Sequence, residues 1–249
     1  MRPGSLAILG IAAYSAFLVA NMPARWAAER LLPKPGPVSL HEIEGTVWHG
    51  NARAAIGSAA SLLTVDRVEW RFLPTRLLQG RAAYDASLAG AGFEARAEAG
   101  RGFAAWTLRD LNGRADASLA TAILPWLGAW RPEGSLHVSA PSLDIAGREA
   151  RGELRIDWTE AATSLSEVRP LGSYRADVKA EGPVARIALT TLSGPLRVTA
   201  QGQLEWPSRL ALAGEARAEG PGAQALQPLL DLIGPRKADG SRAIDWRTR

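Results

Sequence analysis

The sequence predicts an all-β fold: an antiparallel twisted sheet, arranged as a β-sandwich or as an open, barrel-like groove. Three observations favour it: apolar and polar residues alternate over much of the chain, glycine and proline interrupt the alternation, and a charge-free segment lies near the N-terminus. Alternation of period two places every second side chain on one face of a strand. We therefore expect many short strands with one buried and one wet face, two short helices, and one transmembrane helix before them.

The N-terminal segment is the candidate membrane anchor. No charged residue occurs between Arg2 and Arg25. About 20 apolar residues in a helix are enough to cross the hydrocarbon layer. The sequence therefore predicts a cytoplasmic stub over residues 1–5 and a transmembrane anchor over residues 6–24.

A cleaved signal peptide is the competing interpretation of this segment. Signal peptidase needs small residues just before the cut. Cleavage after Ala20 would place Leu18 three positions before the cut, and cleavage after Ala24 would place Met22 there. An uncleaved anchor is therefore favoured.

The charges beside the anchor bear on its orientation. Arg2 favours a cytoplasmic N-terminus, whereas Arg25 and the basic residues that follow oppose it. A long C-terminal domain is translocated largely regardless of such charges. We expect a proline-rich spacer over 25–37 and an exported β domain over 38–249, since prolines cannot continue a helix or pair in a central strand.

The strand predictions rest on alternation. Residues 93–99 and 174–181 alternate strictly between apolar and polar or charged side chains. Two stretches, 119–127 and 224–233, instead show helix-like apolar spacing, and each contains a proline that limits the helix. Short helices that cap one end of the sheet are expected there.

The composition excludes several classes of function. There is no cysteine, so disulfides and thiolate metal sites are excluded. The three histidines stand apart, and neither a nucleophile elbow nor a phosphate-binding loop occurs. Arginines alternate with acidic residues, as in 175–181, so the net charge of +4 forms no nucleic-acid surface. We predict no enzyme activity, no cofactor, no metal and no nucleic-acid partner.

An acidic residue followed by tryptophan recurs along the chain. It occurs at Glu69-Trp70, Asp157-Trp158, Glu205-Trp206 and Asp245-Trp246. The sequence leaves two interpretations open: repeated indole anchors at strand ends, or a series of tryptophans that grips a ligand.

One local motif stands out, and it supplies the only candidate site residues. They are Gly45, Thr46, Val47, Trp48 and Gly50. Trp48 breaks the apolar–polar parity of the preceding strand, which a bulge or twist would accommodate. A structural hairpin with glycines at constrained positions is the favoured interpretation, and an interaction motif is the alternative.

Together with other segments, this motif resembles the protein N family of the type II secretion system. The resemblance extends over Val68–Pro74, Leu77–Gly80, Pro170–Tyr174 and Leu192–Leu196, and so over most of the chain. One position departs from the family: Asp245-Trp246 stands where the family's last strand has a simple alternation of apolar residues.

The resemblance implies an accessory inner-membrane component that aids export of folded proteins from the periplasm. It implies contact with other type II secretion subunits, without catalysis. The family also resembles, distantly, AsmA-type envelope proteins with apolar β-grooves, which gives lipid binding as the alternative function.

Overall fold

The computed structural model describes residues 3–31, 38–58, 61–123, 125–205, 209–220 and 222–247. These residues form one antiparallel sheet of 13 strands, ordered as they follow one another in the chain. The strands are β1 (Val38–Gly45), β2 (His49–Ser58), β3 (Ser61–Phe72), β4 (Ala82–Gly90), β5 (Phe93–Arg101), β6 (Trp106–Asp116), β7 (Pro132–Ala146), β8 (Glu149–Thr163), β9 (Gly172–Gly182), β10 (Val184–Ser193), β11 (Leu196–Glu205), β12 (Arg209–Ala218) and β13 (Arg242–Arg247).

The predicted antiparallel β architecture is confirmed, and one of its two arrangements is formed. The sheet is open, because β1 and β13 are its edge strands. A sandwich requires two packed sheets, whereas the described residues form one. Of the two predicted arrangements, the one formed is therefore the open one.

Short helices accompany the sheet. The α-helices in the described ranges are α1 (Pro3–Ala20), α2 (Ala24–Leu31), α3 (Ala120–Ile123) and α4 (Gln227–Ile233), and 3₁₀ helices cover Pro74–Gln79, Ala117–Leu119 and Pro125–Ala129. The predicted helical stretches 119–127 and 224–233 are therefore helical in part. Pro228 lies in the first turn of α4, where a missing N–H costs no helical hydrogen bond.

The N-terminal segment is helical over much of its length. The anchor predicted over 6–24 coincides largely with α1, and α2 lies in the segment 25–37 predicted as a spacer. Residues 32–37, with the three prolines of that spacer, lie outside the described residues. None of the helices in the described ranges combines the length and apolar character needed to cross a membrane.

The sheet has two distinct ends because consecutive strands run in opposite directions. The β1–β2, β3–β4 and β5–β6 connections lie at one end, which we call the junction end. The β12–β13 connection, which contains α4, lies at the other end, which we call the α4 end.

One face of the sheet carries ion pairs between neighbouring strands. Arg175 contacts Asp157 at 2.6 Å, and Arg96 contacts Asp85 at 2.6 Å. The hydrogen bonds from Arg175 and Arg96 lower the pKa of Asp157 and of Asp85, respectively. The alternating arginines and carboxylates thus pair across strands, as expected for a solvated face.

The hydrophobic core lies at the α4 end. Its buried residues are Leu171, Leu196, Ala216, Leu226, Leu229 and Leu230. Three of the six belong to α4 or to the residue before it, so α4 packs its apolar side onto the other face of the sheet.

Candidate functional site

The Gly45–Gly50 motif forms the turn between β1 and β2. Gly45 has φ 89°, and a Cβ placed there would lie 2.5 Å from the main-chain oxygen of His49. A Cβ at Gly50 would lie 2.3 Å from the oxygen of Glu44 and 2.5 Å from the ring of Trp70. All three distances are far below van der Waals contact, so the turn requires glycine at both positions.

Thr46 fixes the turn between the two glycines. Its hydroxyl accepts hydrogen bonds from the main-chain N–H groups of Trp48 at 3.2 Å and His49 at 3.3 Å. Its main-chain oxygen accepts a hydrogen bond of 3.0 Å from the indole N–H of Trp70 in β3. Thr46 therefore links the turn to β2 through His49 and to β3 through Trp70.

The same turn contacts the last turn of α1. The indole N–H of Trp48 donates to the main-chain oxygen of Val19 at 2.8 Å. The main-chain N–H of Val47 donates to the oxygen of Met22 at 3.0 Å, and Pro23 forms an isolated β-bridge with the turn. The final carbonyl groups of a helix lack partners within it. Here Trp48 supplies one to Val19, whose oxygen also accepts the N–H of Met22 at 3.3 Å.

An aromatic chain continues from this junction into the sheet. The ring of Trp48 meets Phe72 edge-on at 4.9 Å, and Phe72 lies 5.2 Å from Tyr84. Burial raises the pKa of Tyr84. A cleft of about 680 Å³ lies beside these rings, and Val19 of α1 also lines it. The junction is thus an apolar contact reinforced by hydrogen bonds.

A second feature lies in the C-terminal half, where apolar residues align across neighbouring strands. The row consists of Leu154, Val178, Ile187, Gly202 and Leu212. Its four apolar side chains are only half-buried. They line a cavity of about 950 Å³.

The sheet must curl around this cavity. Ser139 of β7 and Asp245 of β13 both line it. Strands that are six positions apart in a flat sheet lie about 29 Å from each other. Only a curled sheet brings both strands to one cavity of this size.

A second cavity continues from the first toward the α4 end. It measures about 570 Å³ and shares Asp245 and Arg247 with the first. Its lining is mainly apolar and includes Leu127, Trp130, Trp158, Tyr174, Leu189, Val198, Leu229, Ile233, Ile244 and Trp246. We call the two cavities together the apolar trough.

Two polar groups that line the second cavity are bonded within the protein. The hydroxyl of Tyr174 donates to the main-chain oxygen of Leu196 at 3.0 Å, and burial raises the pKa of Tyr174. The indole N–H of Trp158 donates to the oxygen of Glu133 at 3.0 Å. Leu229 and Ile233 of α4 close this end of the trough. The trough can therefore accommodate apolar matter without leaving these polar groups unpaired.

No group of side chains in the described part of the chain is arranged to bind a metal ion. The candidate residues Gly45, Thr46, Val47, Trp48 and Gly50 meet in one turn, and their hydrogen bonds are made within the protein. The arrangement suits contact and positioning.

Comparison with known families decides the assignment. The family model described as "Type II secretion system (T2SS), protein N" matches residues 36–245. The chain belongs to the type II secretion system protein N family. The match covers most of the 249 residues and confirms the resemblance seen in the sequence. No curated protein and no solved structure matches the chain.

Membership in the protein N family makes the chain a non-catalytic component of type II secretion. This agrees with the prediction that it is not an enzyme. It also implies interaction with other secretion subunits and a place in the cell envelope.

Sequence reasoning missed the contact between the turn and α1. It did not pair Trp48 with Val19, because the two residues are 29 positions apart and only the fold brings them together. It raised tryptophans as possible ligand contacts, and Trp158 and Trp246 do line the trough, but Trp70 lies at the turn instead. Trp206 lies outside the described residues.

Proposed function

We propose that this member of the protein N family is an accessory inner-membrane component of the type II secretion system and acts as a scaffold. In this proposal residues 6–24 anchor it in the membrane with the N-terminus in the cytoplasm, and the β domain lies in the periplasm. Membership in the family supports a role in secretion. The charge-free N-terminal segment and the exposed apolar side chains of α1, such as Ile11 and Phe17, support the anchor.

The scaffold role rests on one observation: the open sheet is joined to α1 at one point, and in the described ranges each of its edge strands, β1 and β13, pairs with only one other strand. Trp48 bonds to the last turn of α1 and Val47 bonds to Met22 just after it, so the orientation of the helix is coupled to that of the sheet. Edge strands carry unpaired main-chain groups that can accept a further strand. Partner subunits would bind along β1 or β13.

Site-specific cross-linking in cells tests the scaffold proposal. A photoreactive amino acid would replace Ser39 on β1 or Arg247 on β13, with Gln201 on the interior strand β11 as the matched exposed control. We expect cross-links to other secretion subunits from an edge position and few from the control. Equal yields at all three positions, or none from the edges, would contradict edge binding.

Reporter fusions test the membrane topology separately. Alkaline phosphatase fused after Arg249 should be active, because that enzyme folds only outside the cytoplasm, and a fluorescent reporter that matures in the cytoplasm should stay dark. The protein should remain in the membrane pellet after alkaline extraction. The opposite reporter pattern would overturn the proposed orientation.

The apolar trough favours a second candidate function, the binding of lipid by an AsmA-like groove. The half-buried Leu154, Val178 and Ile187 line it, and its two cavities measure about 950 and 570 Å³. Ligand pockets of several hundred Å³ with mainly apolar walls are typical of small-molecule sites. α4 closes the trough at one end, and the other end points toward the junction end, where α1 is attached.

Quantifying co-purified lipid tests this second function. Ile187→Glu places a carboxylate in the trough, whereas Thr190→Glu places one at an exposed position of the same strand that does not line the trough. Native mass spectrometry of the full chain should show bound lipid in the wild type and in Thr190→Glu, with a severalfold loss in Ile187→Glu. Equal lipid in both variants, or none in the wild type, would contradict the function.

A further inference from the structure

Large apolar side chains are exposed on two neighbouring connections at the junction end. Leu78 in the 3₁₀ helix after β3 is 91% exposed, and Phe103 in the β5–β6 connection is fully exposed. Leu77 and Trp106 beside them are more than half exposed. We call these four residues the rim patch. Single exposed apolar residues are ordinary, but a group of large ones on adjacent loops indicates an interaction surface.

The two connections lie against each other. A Cβ added at Gly80 would lie 3.9 Å from the ring of Phe103, and one at Gly102 would lie 3.9 Å from the Cγ of Arg81. The four side chains of the rim patch therefore come from one continuous part of the rim.

The rim patch lies at the same end of the sheet as the attachment of α1. Pro74, which begins the 3₁₀ helix bearing Leu78, lines the same cleft as Val19 of α1 and Trp48. α1 itself exposes large apolar side chains; Ile11 and Phe17 are both more than 60% exposed. Two uncovered apolar surfaces thus share one end of the molecule.

Arginines accompany both surfaces. Arg101 lies over the ring of Trp106 at 4.7 Å, and Arg30 of α2 lies over the ring of Trp26 at 5.1 Å. Arg81 directly follows the turn that carries the leucines. Tryptophan and arginine suit the boundary between lipid headgroups and acyl chains, because both combine an apolar body with a polar or charged group.

We propose that the rim patch is a membrane-docking surface that rests on an anionic bilayer. In it, Leu78 and Phe103 insert among the acyl chains, and Arg81 and Arg101 lie at the headgroups. The inference rests on the proposed membrane location of α1. A bilayer fits better than a protein partner because the exposed apolar side chains lie on neighbouring connections, are flanked by arginine, and share their end of the sheet with an uncovered apolar helix.

The docking would give the β domain a second attachment. α1 attaches the sheet to the membrane at one point, whereas a second contact along the rim also fixes the tilt of the sheet relative to the bilayer. The edges and the trough would then keep a constant orientation relative to the bilayer.

Fluorescent probes in the full-length protein test the proposal. The chain has no native cysteine, so single-cysteine variants can be labelled with an environment-sensitive fluorophore. Leu78→Cys and Phe103→Cys report on the rim patch, Ile11→Cys on α1, and Ser164→Cys on an exposed loop at the α4 end. Each variant would be reconstituted into vesicles of phosphatidylethanolamine and phosphatidylglycerol and quenched with iodide.

We expect blue-shifted emission and severalfold weaker iodide quenching at positions 78 and 103 than at position 164. The contrast should shrink when phosphatidylcholine replaces the anionic lipid. Water-like signals at 78 and 103 with a lipid-like signal at 11 would overturn the rim proposal and leave the anchor intact, indicating a protein partner. Lipid-like signals at 78 and 103 with water at 11 would support the rim patch and overturn the anchor. Water-like signals at positions 78, 103 and 11 would overturn both the rim proposal and the membrane anchor.

Discussion

The indole N–H of Trp48 donates a 2.8 Å hydrogen bond to the main-chain oxygen of Val19 and so ties the first hairpin of the sheet to the last turn of α1. The bond satisfies a helix-terminal carbonyl group, and the ring of Trp48 packs against Phe72 on its other side. One side chain thus joins helix and sheet.

Trp48→Phe should weaken this joint while keeping the aromatic contact. Loss of one such hydrogen bond costs about 1 kcal/mol, which corresponds to about fivefold faster amide exchange at the affected site. We expect the increase in hydrogen–deuterium exchange over residues 17–24 of the full chain.

Trp158→Phe is the matched control for that experiment. It also removes one indole hydrogen bond, to the oxygen of Glu133, but on strands far from α1. In Trp158→Phe, hydrogen–deuterium exchange over residues 17–24 should stay at the wild-type level. If both variants changed that segment equally, the Trp48–Val19 bond would not be what holds the helix.

Gly50→Ala should destabilise the β1–β2 turn. The new Cβ would lie 2.3 Å from the oxygen of Glu44, and that main-chain atom cannot move independently of the strand. Overpacking of this kind costs about 1–3 kcal/mol. Thermal unfolding should therefore begin at a lower temperature. Gly128→Ala, where a Cβ would meet no atom within 4 Å, should leave the melting temperature nearly unchanged; equal shifts would refute the close-approach argument.

Leu229→Ala should show how strongly α4 closes the sheet. Leu229 is 2% exposed and lies in the core, whereas Leu232 on the same helix is 62% exposed. Large-to-small changes in a core cost about 2–5 kcal/mol. Urea unfolding should show a loss of that size for Leu229→Ala and a far smaller one for Leu232→Ala. If Leu229→Ala were as stable as the wild type, α4 would contribute little to the core.

The Arg175–Asp157 pair should make stability depend on pH. The hydrogen bond from Arg175 lowers the pKa of Asp157 in the folded state, below the value of about 3.9 for an unfolded aspartate. The stabilisation is therefore present above pH 4 and is lost as the pH falls through the folded pKa. Because both side chains are partly exposed, we expect less than about 1 kcal/mol.

Asp157→Asn isolates this contribution. Urea unfolding at pH 7 should find the variant less stable than the wild type, and the difference should shrink at pH 3. Asp66 is an exposed residue of β3, and Asp66→Asn should show no comparable effect. A wild-type advantage that is the same at both pH values would exclude the titration of Asp157 as its cause.

Much of the fold follows from local pattern. Alternation over 93–99 and 174–181 falls within β5 and β9, because period two alone decides which side chains share a face. The glycines of the Gly45–Gly50 motif were expected at constrained positions, and the lack of space for a Cβ at Gly45 and Gly50 gives the physical reason. The charge-free segment overlaps α1 over most of its length, although none of the helices in the described ranges is long and apolar enough to span a membrane.

The sequence by itself therefore determined the strands, their two faces and the family, since each depends on neighbouring residues or on short motifs. Only the tertiary structure decided whether the apolar faces would close into a sandwich or curl around a trough, because curling sums the twist of many strand pairs. It also decided which carbonyl group Trp48 meets and which loops share a rim with α1. Those contacts join residues far apart in the chain, and no local periodicity encodes them.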